Sequence, residues 1–193
     1  MPIFRLGDEI IFPPVDLTSE RGILAIGGDL SPGRILEAYR QGIFPWYSEG
    51  EPIVWWSPDP RFVLFLDELR VSRSMKKVLR HNVFRITYDH SFREVVESCR
   101  NARRKQKGTW ITHDMLEAYY TLHTLGFAHS AEAWHGDKLV GGIYGASEKG
   151  PGNLWPREPR QHGCASGRTT STGGAPSDIA AATISTRESL DHR

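Results

Sequence analysis

The supply of large apolar side chains changes abruptly inside this chain, and that change limits what it can fold into more than any motif does. Leu, Ile, Val, Phe, Tyr, Trp and Met recur up to Tyr144. From Ser147 to Arg193 they shrink to Leu154, Trp155, Ile179, Ile184 and Leu190, while Gly, Ser, Thr, Pro and Arg crowd in (GCASGRTTSTGGAPSD). Ordering a backbone costs about 1 to 2 kcal/mol per residue, and so sparse an apolar content offers little burial against it. The expectation is a folded region up to about residue 145 and a disordered tail over 146–193. The whole length of 193 residues would allow one ordinary domain, or a medium domain with a small second one.

Charge excludes a global attraction to nucleic acid, because the net charge is only +1 and the first 146 residues carry equal numbers of basic and acidic side chains. Any anion-binding surface must be local. Two cysteines, Cys99 and Cys164, cannot build a disulfide framework, and MPIFRLGDEI lacks the basic start and apolar run of a secretory leader. A cytoplasmic, reduced protein is expected. No stretch approaches the roughly 20 apolar residues of a membrane span, so no membrane partner is expected.

Helix punctuation is clear in the first 146 residues. Ser31-Pro32 supplies an N-cap and N1 proline, Ile35, Leu36 and Tyr39 share a face, and Gly42 sits where a left-handed residue ends a helix. The segment GIFPWYSEGEPIVWWSPDPR over 42–61 is too rich in Pro and Gly for a regular element, and RFVLFL after it has the pattern of a buried strand. Ser72 opens a short basic helix to Arg80, and Phe84 to Tyr88 alternates like a strand. Ser91-Phe92-Arg93-Glu94 matches a capping box for a helix with Val95, Val96 and Cys99 on its apolar side; the basic run Arg100 to Lys107 closes that helix and becomes a loop. Thr112 caps a helix that buries Met115, Leu116, Tyr119, Leu122 and Leu125 and stops at Gly126. Two strands, Ala128 to His135 and Lys138 to Tyr144, flank a Gly136-Asp137 turn. The mixture predicts an α+β protein whose sheet is still being assembled where the apolar pattern stops.

Common catalytic motifs are missing. GGIYG at 141–145 lies in a strand instead of opening a helix, so close strand packing is preferred over a phosphate loop. His123, His129 and His135 lack the short-range spacing of zinc ligands, and no metal is expected. More telling are the aromatic and proline runs Phe44-Pro45-Trp46-Tyr47 and Trp55-Trp56-Ser57-Pro58-Asp59-Pro60. A Trp in a proline-stiffened loop can stack on a base at little entropic cost, although core packing is favoured for at least one of Trp55 and Trp56. Trp110 directly follows the basic run ending in Lys107. On a helix, Arg73, Lys76, Lys77 and Arg80 share one side. Cationic patches beside tryptophans point to RNA with an accessible end or loop, since phosphates supply affinity and aromatics take unpaired bases.

These residues carry a family resemblance. GILAIGGDLSP at 22–32, YRQGIFPWYSEGEPIVWWSPDPR at 39–61, SRSMKK at 72–77, GTWIT at 108–112, LGFAHSAEAW at 125–134 and LVGGIYG at 139–145 closely resemble the bacterial leucyl/phenylalanyl-tRNA-protein transferases, over roughly residues 1–145. The resemblance implies an N-terminal α+β domain over 1–70, the first part of a GNAT-like acyltransferase domain over 71–145, and an aberrant tail over 146–193. It implies an aminoacyltransferase that moves Leu or Phe, with Met a further candidate, from aminoacyl-tRNA to the N-terminal Arg or Lys of acceptor proteins, creating a degradation signal. No cofactor is implied, and a monomer is expected. Trp46 and Trp110 match the tryptophans that sandwich the terminal adenosine. Ile143 matches an apolar wall of the side-chain pocket, and Arg73, Lys76, Lys77 and Arg80 match the surface that grips the acceptor stem.

After Gly145 the resemblance stops. The family continues with Gly-Glu-Ser-Met-Phe and later Asp-x-Gln, which have no counterpart in SEKGPGNLWPREPRQHGC, so no catalytic residue is carried over. Translation of an altered reading frame or a truncated gene is the expected origin of the tail. The other readings are a non-catalytic module for the tRNA 3′ end, or a non-functional remnant. The Lys138 to Tyr144 strand is then expected to lack its next partner and expose an apolar edge, with poor solubility as the consequence.

Overall fold

The computed structural model describes residues 3–61, 68–101 and 109–147. The expected RFVLFL strand, all but its first residue, the basic run beyond residue 101 and the tail beyond Ser147 lie outside the described residues. The described part is α+β, with two sheets and four α-helices among those residues.

The first sheet has strand order β1-β2-β4-β3, with β1 (Phe4–Leu6), β2 (Ile23–Gly27), β3 (Phe44–Pro45) and β4 (Val54–Trp56). β1 runs parallel to β2, and β4 is antiparallel to both β2 and β3. This corrects the expectation that 42–61 holds no regular element. Val54 to Trp56 pairs on both sides, and Pro45 is tolerated because among the described residues β3 lies at the edge of this sheet, where its outer side needs no N–H. β1 and β2 were also not anticipated, since three to five residues hold too few periods to register as a pattern.

Helix α1 (Pro32–Arg40) packs beside β3 of this sheet. Pro32 occupies its first turn as expected, but the Ser31 side chain makes no capping bond. Instead the Ser31 N–H donates to Asp29 Oδ1 at 2.7 Å, and the same carboxylate receives Arg34 Nε and Nη2 at 3.2 and 3.1 Å. Hydrogen bonds from Ser31 and Arg34 outweigh partial burial and hold the Asp29 carboxyl below its usual range. The fully buried Arg34 guanidinium also donates to the carbonyls of Gly7, Asp8 and Glu9, fixing the incoming chain over the helix. At the other end Gly42 adopts φ +75°, which a side chain would strain, and its N–H closes on Tyr39 O at 3.0 Å.

The second sheet is β5 (Arg85–Tyr88), β6 (Ala128–His135) and β7 (Lys138–Ala146), antiparallel in that order. Helices α3 (Phe92–Asn101) and α4 (His113–Thr124) cover one face. The short helix α2 (Arg73–Arg80) precedes β5, with the Ser72 hydroxyl capping Met75 N–H as the sequence predicts. Thr112 caps α4 in the same way. Met115, Leu116, Tyr119 and Leu122 are buried, whereas Leu125, expected on the same face, is half exposed because it is the C-cap, past the last helical turn. One hydrophobic cluster runs from Leu24, Ile35 and Trp55 through Val95, Met115 and Leu122, so the two sheets share a continuous core. Among the described residues β7 pairs only with β6, and no helix is long and apolar enough to cross a membrane.

Candidate functional site

The aromatic loop owes its shape to strand pairing. The Trp46 N–H donates to Val54 O at 2.9 Å, which anchors the backbone, and Trp56 Nε1–H donates back to Trp46 O at 2.7 Å. The two indoles lie 5.7 Å apart at 46°, leaving the Trp46 side chain half exposed on a stiff support. Trp55 points the other way. It is fully buried, donates Nε1–H to Gly27 O at 2.8 Å and meets Phe12 edge-on at 4.9 Å, so it is the core tryptophan of the pair.

Trp110 is half buried and packs against the same core. Its carbonyl accepts the Thr112 N–H at 3.1 Å. Thr112 in turn donates its hydroxyl to the Tyr47 phenol oxygen at 3.2 Å, in a buried contact between segments 65 residues apart. The structure thus joins the Trp46 loop to the Trp110 segment through their neighbours. Behind them Tyr39 and Tyr119 share a hydroxyl–hydroxyl hydrogen bond, and Tyr119 meets Tyr144 edge-on at 5.7 Å. Burial, then the Tyr39 and Tyr144 phenols, push the Tyr119 phenol well above its usual value.

Ile143 is half buried on β7, opposite Ala131. Its neighbours Gly142 and Tyr144 face α3 and α4, as shown by the approach of Gly142 to Val95 and by the Tyr144–Phe92 ring contact, so alternation puts Ile143 on the other face of the sheet. On α2, Arg73, Lys76, Lys77 and Arg80 are all exposed while Met75 is buried, which leaves a cationic face free for anions. GGIYG is strand, as expected.

Two polar clusters were not visible in the sequence. Glu132 is fully buried and accepts Ser130 Oγ–H and Thr87 Oγ1–H, each at 2.5 Å, and Ser91 N–H at 3.3 Å. Asp89 accepts the Ser130 N–H at 2.8 Å and pairs with His129 Nδ1 at 2.7 Å, with His123 Nδ1 3.8 Å away. Apart from Ser130 with Glu132, these contacts join residues 34 to 45 positions apart, beyond the reach of local spacing rules.

Comparison with known proteins settles the family. The leucyl/phenylalanyl-tRNA protein transferase pattern matches residues 63–150, and the pattern for the N-terminal domain of that transferase matches residues 28–59. A leucyl/phenylalanyl-tRNA–protein transferase of Syntrophus aciditrophicus is 60% identical over 148 residues, which cover 76% of this chain and 62% of that protein. Its counterpart in Flavobacterium johnsoniae is 52% identical over 144 residues, covering 74% of this chain and 68% of the relative.

The chain belongs to the leucyl/phenylalanyl-tRNA–protein transferase family.

A third relative, from Syntrophobacter fumaroxidans, is 56% identical over 148 residues and is covered to 63%. The chain therefore spans a little over three fifths of the length of the Syntrophus and Syntrophobacter transferases. Trp46 falls within the match to the N-terminal domain of the family, and Trp110, Ile143 and the basic helix within the transferase match.

Proposed function

We propose that this chain binds the aminoacylated 3′ end of tRNA and serves the cytoplasmic transfer of Leu or Phe, with Met a further candidate, to the N-terminal Arg or Lys of acceptor proteins. Trp46 and Trp110 hold the terminal adenosine, Ile143 lines the side-chain pocket, and Arg73, Lys76, Lys77 and Arg80 hold the acceptor-stem phosphates. The domain division is 1–70, 71–145 and a tail over 146–193. The observation that carries this reading is the Trp46 indole, half exposed on the Trp56 ring and tied to the Trp110 segment through Tyr47 and Thr112. A flat, stiffly held ring of this kind suits stacking on a base, and the exposed cations of α2 supply the phosphate attraction.

The chemistry is aminolysis of an ester that is already activated. It needs an uncharged acceptor amine, a route for the amine proton and donors for the tetrahedral oxyanion. A second reading, a tRNA-end binding module without turnover, is favoured by the sequence past residue 150, which the family pattern does not match. Incubating the chain with labelled Leu-tRNA or Phe-tRNA and an Arg-initiated acceptor separates the two. Binding with transfer supports the enzyme, binding alone supports the module, and failure to bind rejects both. Reversing the charge of Lys76 and Lys77 should weaken tRNA binding and flatten its salt dependence by about one logarithmic unit per lost phosphate contact; an unchanged slope would remove α2 from the interface.

A further inference from the structure

The hydroxyl of Thr112 performs two tasks. It accepts the Met115 N–H at 3.2 Å, capping α4, and it donates to the Tyr47 phenol oxygen at 3.2 Å. Both residues are buried, Tyr47 to 8% exposure and Thr112 to 2%. The cap needs only Thr112, and the core needs only the aromatic ring at position 47, which Phe would provide. The phenol oxygen therefore contributes something other than burial or capping. What it contributes is register. Tyr47 directly follows Trp46, whose N–H is fixed to Val54 O, and the Thr112 N–H is bonded to Trp110 O. Each tryptophan is thus one short, hydrogen-bonded step from the Tyr47–Thr112 contact. That contact also bridges the two separately matched parts of the family pattern, residues 28–59 and 63–150.

We propose that the Tyr47–Thr112 hydrogen bond sets the spacing of Trp46 and Trp110, so that Tyr47 and Thr112 are positioning residues for the terminal adenosine of aminoacyl-tRNA. The inference rests on the assignment of the two tryptophans as the adenosine platforms. Neither hydroxyl touches the reacting ester. Their role is to hold the two tryptophan segments in fixed register before the ligand arrives, which lowers the ordering cost of binding.

The test uses the full chain and, as probe, phenylalanyl-adenosine with an amide in place of the ester, titrated by calorimetry. An RNA hairpin of acceptor-stem sequence lacking the terminal adenosine reports separately on the basic helix. Tyr47→Phe should bind the probe on the order of five- to tenfold more weakly, the size of one lost neutral hydrogen bond, and bind the hairpin as before. A general loss of structure would weaken both. Thr112→Ser, which keeps the hydroxyl, should restore near-normal probe affinity where Thr112→Val does not, and Tyr47→Phe added to Thr112→Val should cause no further loss. Trp46→Ala tests the underlying assignment. If it weakens probe binding while Tyr47→Phe does not, or if the Tyr47 and Thr112 effects simply add, the positioning role is overturned and the tryptophan assignment stands. If Trp46→Ala changes nothing, or the unsubstituted chain does not bind the probe, the assignment fails and the positioning role falls with it.

Discussion

Trp46, Trp55 and Trp56 lie within eleven positions of one another yet meet different fates, and strand geometry decides which is which. Along β4 successive side chains point to opposite faces, so Trp55 enters the core while Trp56 turns out to support Trp46. The sequence alone favours core packing for at least one of the adjacent pair without saying which. Stability and binding should separate accordingly. Trp55→Ala removes a fully buried indole and should lower the unfolding free energy by about 3 to 5 kcal/mol, whereas Trp46→Ala should change stability little and weaken aminoacyl-adenosine binding by about 1 to 3 kcal/mol. Urea denaturation and ligand titration of the two variants side by side check this; comparable destabilisation by both would make Trp46 a core residue and remove it from the site.

The elements divide into those a local rule could find and those that only tertiary pairing creates. α2 and α4 were legible because Ser72 and Thr112 stand at their caps and use them. β3 and β4 were not, because two or three residues hold no period and their existence depends on β2 lying alongside. The start of α3 is intermediate: Glu94 completes a capping-box pattern, but the Ser91 N–H turns to Glu132 on β6, a partner 41 residues away. Of the proposed site, the tryptophans and cations stood out by residue type, while the buried hydroxyl contacts behind them did not, since nothing local to Tyr47 names Thr112. Gly142 shows how tightly these elements meet. A Cβ there would lie 2.9 and 3.1 Å from the two Val95 methyls of α3, closer than carbon atoms pack. Gly142→Ala should therefore destabilise by about 1 to 3 kcal/mol, and part of that loss should return when Val95→Ala is added. Full additivity in thermal or urea unfolding would mean that the sheet and helix do not press on each other at this point.

At the scale of the whole molecule the two sheets are held together by a shared apolar core, and the polar contacts that cross it among the described residues include two phenolic ones, Tyr39 with Tyr119 and Tyr47 with Thr112. Such a junction depends on pH at the alkaline end. Burial is the main cause that raises the Tyr119 phenol well above its usual value, with Tyr39 and Tyr144 adding to it, and burial raises Tyr47 as well. In the unfolded chain these phenols ionise near their ordinary value of about 10. Above that pH the unfolded state has released protons that the folded state still holds, so stability falls as pH rises. The contribution is complete below about pH 10 and is lost progressively on the way up to the folded-state value. Unfolding free energy measured from pH 8 to pH 11.5 should be flat at first and then decline. Tyr119→Phe cannot ionise; it should be less stable at pH 8 by about 1 kcal/mol for the lost hydroxyl contact, yet decline less steeply above pH 10, with Tyr47 responsible for part of what remains. The two curves should converge as pH rises. Parallel curves would show that Tyr119 ionises alike in both states, and the junction would then hold no buried neutral phenol at that position.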